Sequence, residues 1–127
     1  MSGAAEAVQT ALVAALGALE VSGVFDGAPA RAAYPYAVIG EAVSSDWSHK
    51  SGRGREHRLA VTIWDDGASA ARLHGLMADA EDAIEGMARD LGGHRVVSLV
   101  FLRSRIVRDA DGPWAGLIEY RARTLES

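Results

Sequence analysis

Apolar residues recur at three- and four-residue spacing in two stretches of the chain and follow a two-residue rhythm in most of the rest. Ala5, Val8, Leu12, Leu16 and Leu19 share one face of a helix that Ser2 would cap and Glu6 would favour at its positive end. Gly17 weakens its end, and Ser22-Gly23 stops it. The second and stronger helical pattern is Leu73, Leu76, Met77, Ala80, Ile84, Met87, Ala88 and Leu91, with Asp65-Asp66-Gly67 as its cap and Gly92-Gly93 as its stop. Its other face carries Asp79, Glu81, Asp82 and Glu85 and should be acidic and wet. Gly75 and Gly86 cost helix stability there and would mark close approach to another element.

Strand-like runs occupy the remainder. Asp26-Gly27-Ala28-Pro29 opens a surface loop, after which Tyr34-Pro35-Tyr36 leads into a first strand over Ala37–Val43. His57, Leu59, Val61 and Ile63 alternate with Arg58, Ala60, Thr62 and Trp64, the mark of a half-buried strand. These two runs form an antiparallel hairpin with its bend at Ser51-Gly52-Arg53-Gly54. His94–Val107 is apolar on both faces in its first half, which predicts a central strand. Asp109-Ala110-Asp111-Gly112-Pro113 is a hairpin loop, and Trp114–Leu125 returns as a fourth strand.

The order α-β-β-α-β-β predicts an α+β domain: a four-stranded antiparallel sheet with both helices packed on one face and a long β-hairpin arm. Residues 1–127 are expected to form this one domain, as the length of the chain suits a single core. One layer of helices cannot cover both sheet faces, yet Trp64, Val96, Val100, Leu102, Ile118 and Tyr120 are spread over both. The surplus predicts that the second face is buried by self-association.

Composition narrows the chemistry. Hydrophobic residues make up 49% and charged residues 24%, as in ordinary globular proteins. The absence of cysteine excludes disulfide, zinc-thiolate and cysteine-nucleophile chemistry and is compatible with a reducing cytoplasm. Met1–Leu19 lacks a basic leader segment and contains Glu6 and Gln9, so neither a signal peptide nor a membrane span is expected.

Against a formal net charge of −4, the segment Asp46–Arg58 concentrates one lysine, three arginines and two histidines. His49 and His57 lack the spacing of a metal site, as do His74 and His94. No Gly-x-Ser-x-Gly elbow is present, and Asp109-x-Asp111-Gly112 lacks the other ligands of a calcium loop. The glycines and arginines of Ser51–Arg55 precede a strand, whereas a phosphate-binding loop opens a helix. No catalytic residue, metal or cofactor is therefore assigned. The arm remains as a set of guanidinium donors for carboxylates or phosphates on a partner. Its candidate contacts are Trp47, Lys50, Arg53, Arg55 and Arg58, with Gly52 and Gly54 as flexible joints, and Trp47 is an aromatic of the kind enriched at interfaces.

Taken in order, these marks resemble the tail-completion, or tail-terminator, proteins of long-tailed phages and gene transfer agents. The resemblance rests on the Ala/Leu-rich first helix, Val24-Phe25-Asp26-Gly27-Ala28-Pro29 and Tyr34-Pro35-Tyr36-Ala37-Val38-Ile39-Gly40. It continues through Asp46-Trp47-Ser48, Lys50–His57, Val61-Thr62-Ile63-Trp64 and the Asp111-Gly112 hairpin. It implies a structural protein with no catalysis, cytoplasmic before assembly and then at the head-tail junction of a particle. There it forms a hexameric ring, stops polymerisation of the tail tube and joins the tail to the head-completion or connector proteins. No membrane is involved, and DNA is at most cargo passing through the ring.

The basic arm and the acidic counter-surface of Asp79, Glu81, Asp82 and Glu85 are complementary, so arm-to-helix contact between neighbours is expected. The alternative is a nucleic-acid-binding module using residues 49–58, which the acidic remainder of the chain disfavours. A small enzyme is a third reading, and no convergent polar constellation supports it.

Overall fold

The computed structural model describes residues 3–108 and 110–127. Its elements in chain order are α1 (Ala4–Leu16), β1 (Val24–Asp26), β2 (Tyr36–Ile39), β3 (Val43–Asp46), β4 (Gly54–Asp65), α2 (Ala71–Glu85), β5 (His94–Arg108) and β6 (Trp114–Glu126). The expected cap Ser2 and loop residue Asp109 lie outside the described residues.

The α+β class holds, but the sheet is six-stranded and mixed rather than four-stranded and antiparallel. Two local features account for the difference. The short run Val24–Asp26, read as the lead into a loop, pairs in parallel with Ala37–Ile39. The expected first strand is broken at Gly40–Ala42 into β2 and β3, which flank the two halves of β4 on the same side. At the break, Gly40 still donates its N–H to the Ala60 carbonyl at 2.8 Å.

The centre of the sheet is the β4–β6 pair, in register from Gly54↔Leu125 to Asp65↔Trp114. Strand alternation then sends Leu59, Val61 and Ile63 of β4 and Ile118, Tyr120 and Ala122 of β6 to one face. Both helices cover that face. Leu12 and Leu16 of α1 meet Leu73, Leu76, Met77, Ala80 and Ile84 of α2 over Ala37, Ile39, Val61, Ile63, Ile118 and Tyr120. A smaller cluster joins Val8, Met87 and Val96.

The second helix is shorter than its apolar periodicity suggests, because the chain leaves the helix at Gly86 while Met87 still reaches the core. Asp65 does not cap it. Its carboxylate is buried and takes hydrogen bonds from the Arg72 guanidinium, including Nε at 3.0 Å, and this pairing holds it below the ordinary carboxylate range.

The expectation of a central strand over His94–Val107 is overturned: β5 is the edge of the sheet, and β6 lies inside it. The apolar residues behind that expectation separate in two ways. Val96 is buried under the helices, whereas Val97, Val100, Phe101 and Val107 are exposed.

His57, which shares the alternation of Leu59, Val61 and Ile63, is 2% exposed. Its Nδ1 lies 2.8 Å from Ser44 Oγ and its Nε2 lies 2.9 Å from Thr124 Oγ1, so one imidazole ties β3, β4 and β6 together. Burial, with Arg55 and His94 nearby, pushes its pKa below the usual histidine value. The neutral ring fits this clasp, because one ring nitrogen can donate while the other accepts.

Two glycines show opposite sides of the packing. A Cβ on Gly116 would meet Met77 Sδ at 2.5 Å and Leu73 Cδ1 at 3.0 Å, so α2 lies directly on β6 at this point. Gly75, on the outside of α2, has open space around it and marks no close approach. Gly116→Val should therefore destabilise the domain by about 1–3 kcal/mol through overpacking. Gly75→Ala should stabilise it by about 0.5–1 kcal/mol. Urea unfolding of both variants measures this, and equal effects would contradict the packing described.

A second expectation concerns pH. The unfolded chain takes up a proton at His57 as pH falls through about 6.5, while the folded clasp resists it, so acidification costs stability over that window. Melting temperature should fall between pH 7.5 and 5.5 in the native chain and fall less in His57→Gln. Parallel curves for the two proteins would remove the clasp from the account.

Candidate assembly interface

The expected arm is largely part of the sheet and more ordered than its glycines suggest. Most of it belongs to β3 and β4, which pair from Val43↔Arg58 to Asp46↔Arg55, leaving Trp47–Arg53 as the connecting loop. The bend lies at Lys50-Ser51, between the bridge partners His49 and Gly52, two residues earlier than expected. Gly54 is not a joint. It is buried at the start of β4, where a Cβ would stand 2.5 Å from the Trp47 carbonyl and 3.0 Å from the Thr124 carbonyl. A side chain there would push the two backbones apart, so glycine closes the arm's root rather than loosening it.

The five candidate contacts do not form one patch. Lys50 and Arg53 are exposed on the loop, where the Arg53 carbonyl accepts the Glu126 N–H at 2.9 Å. Arg55, opposite Thr124, is on the helix-covered side of the sheet. Beneath it a cleft of about 570 Å³ opens between the arm and the start of α1, lined by Arg53, Arg55, Asp46, Ser48 and His94. Arg58, opposite Arg121, is on the uncovered side. Trp47 is half-buried: its ring lies under the Arg123 guanidinium at 5.0 Å and meets the His49 ring edge-on at 4.3 Å. The tryptophan therefore braces the arm against the sheet.

The acidic counter-surface is also uneven. Asp79 and Asp82 are exposed on the outer side of α2. Glu85 is exposed yet accepts a hydrogen bond from the Tyr120 hydroxyl at 2.6 Å, and Glu81 is half-buried. Burial and this acidic neighbourhood push the Tyr120 phenol well above its usual range, so it remains a donor.

The uncovered sheet face differs from the apolar surface expected. Tyr36, Val38, Trp64 and Leu117 give it an apolar end, since their strand partners place them together. The rest is charged, with Arg58, Arg103, Arg105, Arg121 and Arg123 outnumbering Glu56 and Glu119. Glu56 pairs with Arg123 at 3.0 Å and with Arg121 at 3.8 Å, and Glu119 pairs with Arg103 at 2.8 Å. Sequence reasoning centred on the arm missed this face. The signal was present in the two-residue spacing of Arg103 and Arg105, and again of Glu119, Arg121 and Arg123.

No group of three His, Asp or Glu side chains among the described residues is placed to hold a metal ion. No helix among the described residues is long and apolar enough to cross a membrane. What the geometry offers is surfaces: a braced basic loop, an acidic helix side, an arginine-rich sheet face and two sheet edges.

Comparison with known proteins agrees with a surface-driven role. The fold is similar to a chain in the virion of a native gene transfer agent particle, with a TM-score of 0.60 and 23% identity over 98% of this chain and 95% of that one. It is also similar to the bacteriophage SPP1 gp17 protein, with a TM-score of 0.62 and 22% identity over 94% of this chain and 89% of that one. No curated protein matches the sequence. The profile of one family, described as tail completion protein gp17, matches residues 4–125, nearly the whole chain. The chain belongs to this tail completion family, as a structural tail component and not an enzyme.

Proposed function

We propose that the protein acts as a ring at the end of the tail tube, stopping its polymerisation and joining the tail to the head-completion or connector proteins of a phage or gene transfer agent particle. Membership of the tail completion family carries this reading. The surfaces support it, because a closed ring of identical subunits needs two different patches on each copy. The exposed Lys50, Arg53 and Arg55 supply one, and Asp79 and Asp82 supply a complementary one. Glu81 and Glu85 extend the acidic field behind them, although Glu85 is also engaged by Tyr120. Contact between the arm of one copy and α2 of the next then steers subunits into order, since complementary charge chiefly sets encounter rate and register.

Deleting the gene should leave tail-less heads or tubes of uncontrolled length, visible by electron microscopy. The double reversal Arg53→Glu with Arg55→Glu should reduce joined particles by at least tenfold while leaving the melting temperature within a few degrees of the parent. Both side chains are exposed and make no ion pair among the described residues. Normal numbers of joined particles from a folded double variant would remove the arm from the mechanism.

A further inference from the structure

The sheet ends in two free edges of matching chemistry. On one side β5 runs the full height of the sheet. The Arg89–Asp90 segment covers the start of its outer edge, where Asp90 bridges to Arg95 and the Arg89 carbonyl accepts the Val96 N–H at 2.7 Å, and among the described residues nothing pairs with that edge from Val97 on. Val97, Val100 and Phe101 are exposed along it. A long apolar edge of this kind is a template for another strand, and monomeric proteins usually shield it. On the other side β3 pairs only with β4, and its Val43 is 51% exposed.

The strand pairings show that the two edges stand at the same height. Val43 is opposite Arg58, Arg58 opposite Arg121, and Arg121 opposite Val100. In the same way Ser45 leads through Glu56 and Arg123 to Ser98, and Asp46 leads through Arg55 and Thr124 to Val96. The exposed valines Val43 and Val100 are thus on the same face and at one level, at opposite ends of the sheet.

Direction agrees as well. β3, β4, β6 and β5 alternate without exception at this height, so β3 and β5 run opposite ways. A second copy set beside the first in the same orientation presents its β3 antiparallel to β5.

We infer that β3 of one copy pairs with the Val97–Val100 stretch of β5 in a second copy, joining the sheets into one continuous antiparallel layer. The occupant of the β5 edge is thus another molecule of this chain. Val43 and Val100 become cross-strand neighbours, and Ser45 faces Ser98. The inference rests on the ring reading and names its joint. It also leaves Arg55, on the helix-covered side at the root of the arm, on the same side of the joined layer as the neighbour's α2.

The native chain has no cysteine, so a designed pair reports on this joint without background. Directly opposed residues of antiparallel strands have Cβ atoms about 4.5–5.5 Å apart, close to the separation of about 3.5–4.5 Å across a disulfide. Assembled particles carrying Val43→Cys with Val100→Cys are oxidised and run on a non-reducing gel, and the copies of the chain per particle are counted by quantitative mass spectrometry. The expected result is a ladder of linked copies containing most of the chain. Each single-cysteine variant gives no ladder, and neither does Val43→Cys with Val107→Cys, whose partner sits at the other end of β5. Several copies per particle without a Val43–Val100 ladder would overturn the edge pairing and leave the ring standing. One copy per particle would overturn the ring, and the pairing with it.

If the cysteine pair assembles poorly, Val100→Lys provides a second test. This exposed substitution should leave the isolated protein's melting curve unchanged, lower joined particles at least tenfold, and be rescued in part by Val43→Asp. Unimpaired assembly of Val100→Lys would count against the joint.

Discussion

The register of β4 against β6 is the constraint on which the rest of this molecule depends. Because strand side chains alternate with period two, a slip of one residue would either send Val61 and Ile63 to the uncovered face and bring Arg58 under the helices, or exchange Ile118 and Tyr120 for Arg121 and Arg123 in the same way. Burying those guanidinium groups without partners would cost far more than the domain's marginal stability. The register is held at several points along its length. Gly116 admits α2 near one end, His57 clasps Thr124 near the other, and Tyr120 reaches Glu85 in between. The covered face, the charged face and the root of the arm all inherit their composition from this one alignment.

Much of this was legible in the sequence. The two helices announced themselves by their spacing, the β4 alternation from His57 to Trp64 is the alternation observed, and the β5–β6 hairpin formed around its Asp-Gly turn. The errors have a common physical source. Local pattern shows which residues avoid water, but it cannot show what covers them. Val97, Val100 and Phe101 looked like the interior of a sheet, and they sit on its rim. β1 has only three residues, too few for any periodicity, and exists because β2 gives it a parallel partner. The arm shows the same limit in reverse. Its glycines read as freedom, yet Gly54 is a point of contact between backbones. The alternation placed His57 in line with Leu59, Val61 and Ile63, but its partners Ser44 and Thr124 are distant in sequence, so the clasp itself was not legible.

The distribution of charge also takes on a different meaning in three dimensions. An acidic chain gathers positive charge on its arm and uncovered sheet face, while α2 displays the negative surplus. Such a molecule is dipolar rather than uniformly acidic, and dipolar subunits orient one another before they touch. The ion pairs within the sheet face, such as Glu56 with Arg123, set five arginines against two carboxylates and so preserve that polarity.

The irregularities of β5 have a geometric consequence. Its pairing with β6 shifts between Val96 and Ser98 and again between Phe101 and Arg103, so two bulges bracket the short stretch between them. A bulge bends its strand and strengthens the local twist. A straight, flat edge would accept any passing β-strand and extend without limit, whereas a bent one admits only a partner of matching curvature. In the proposed edge pairing, the angle built into these few residues decides whether repeated copies wind into an open fibre or return to their starting point. For a molecule proposed to end a polymer, that distinction is between halting growth and becoming a polymer itself.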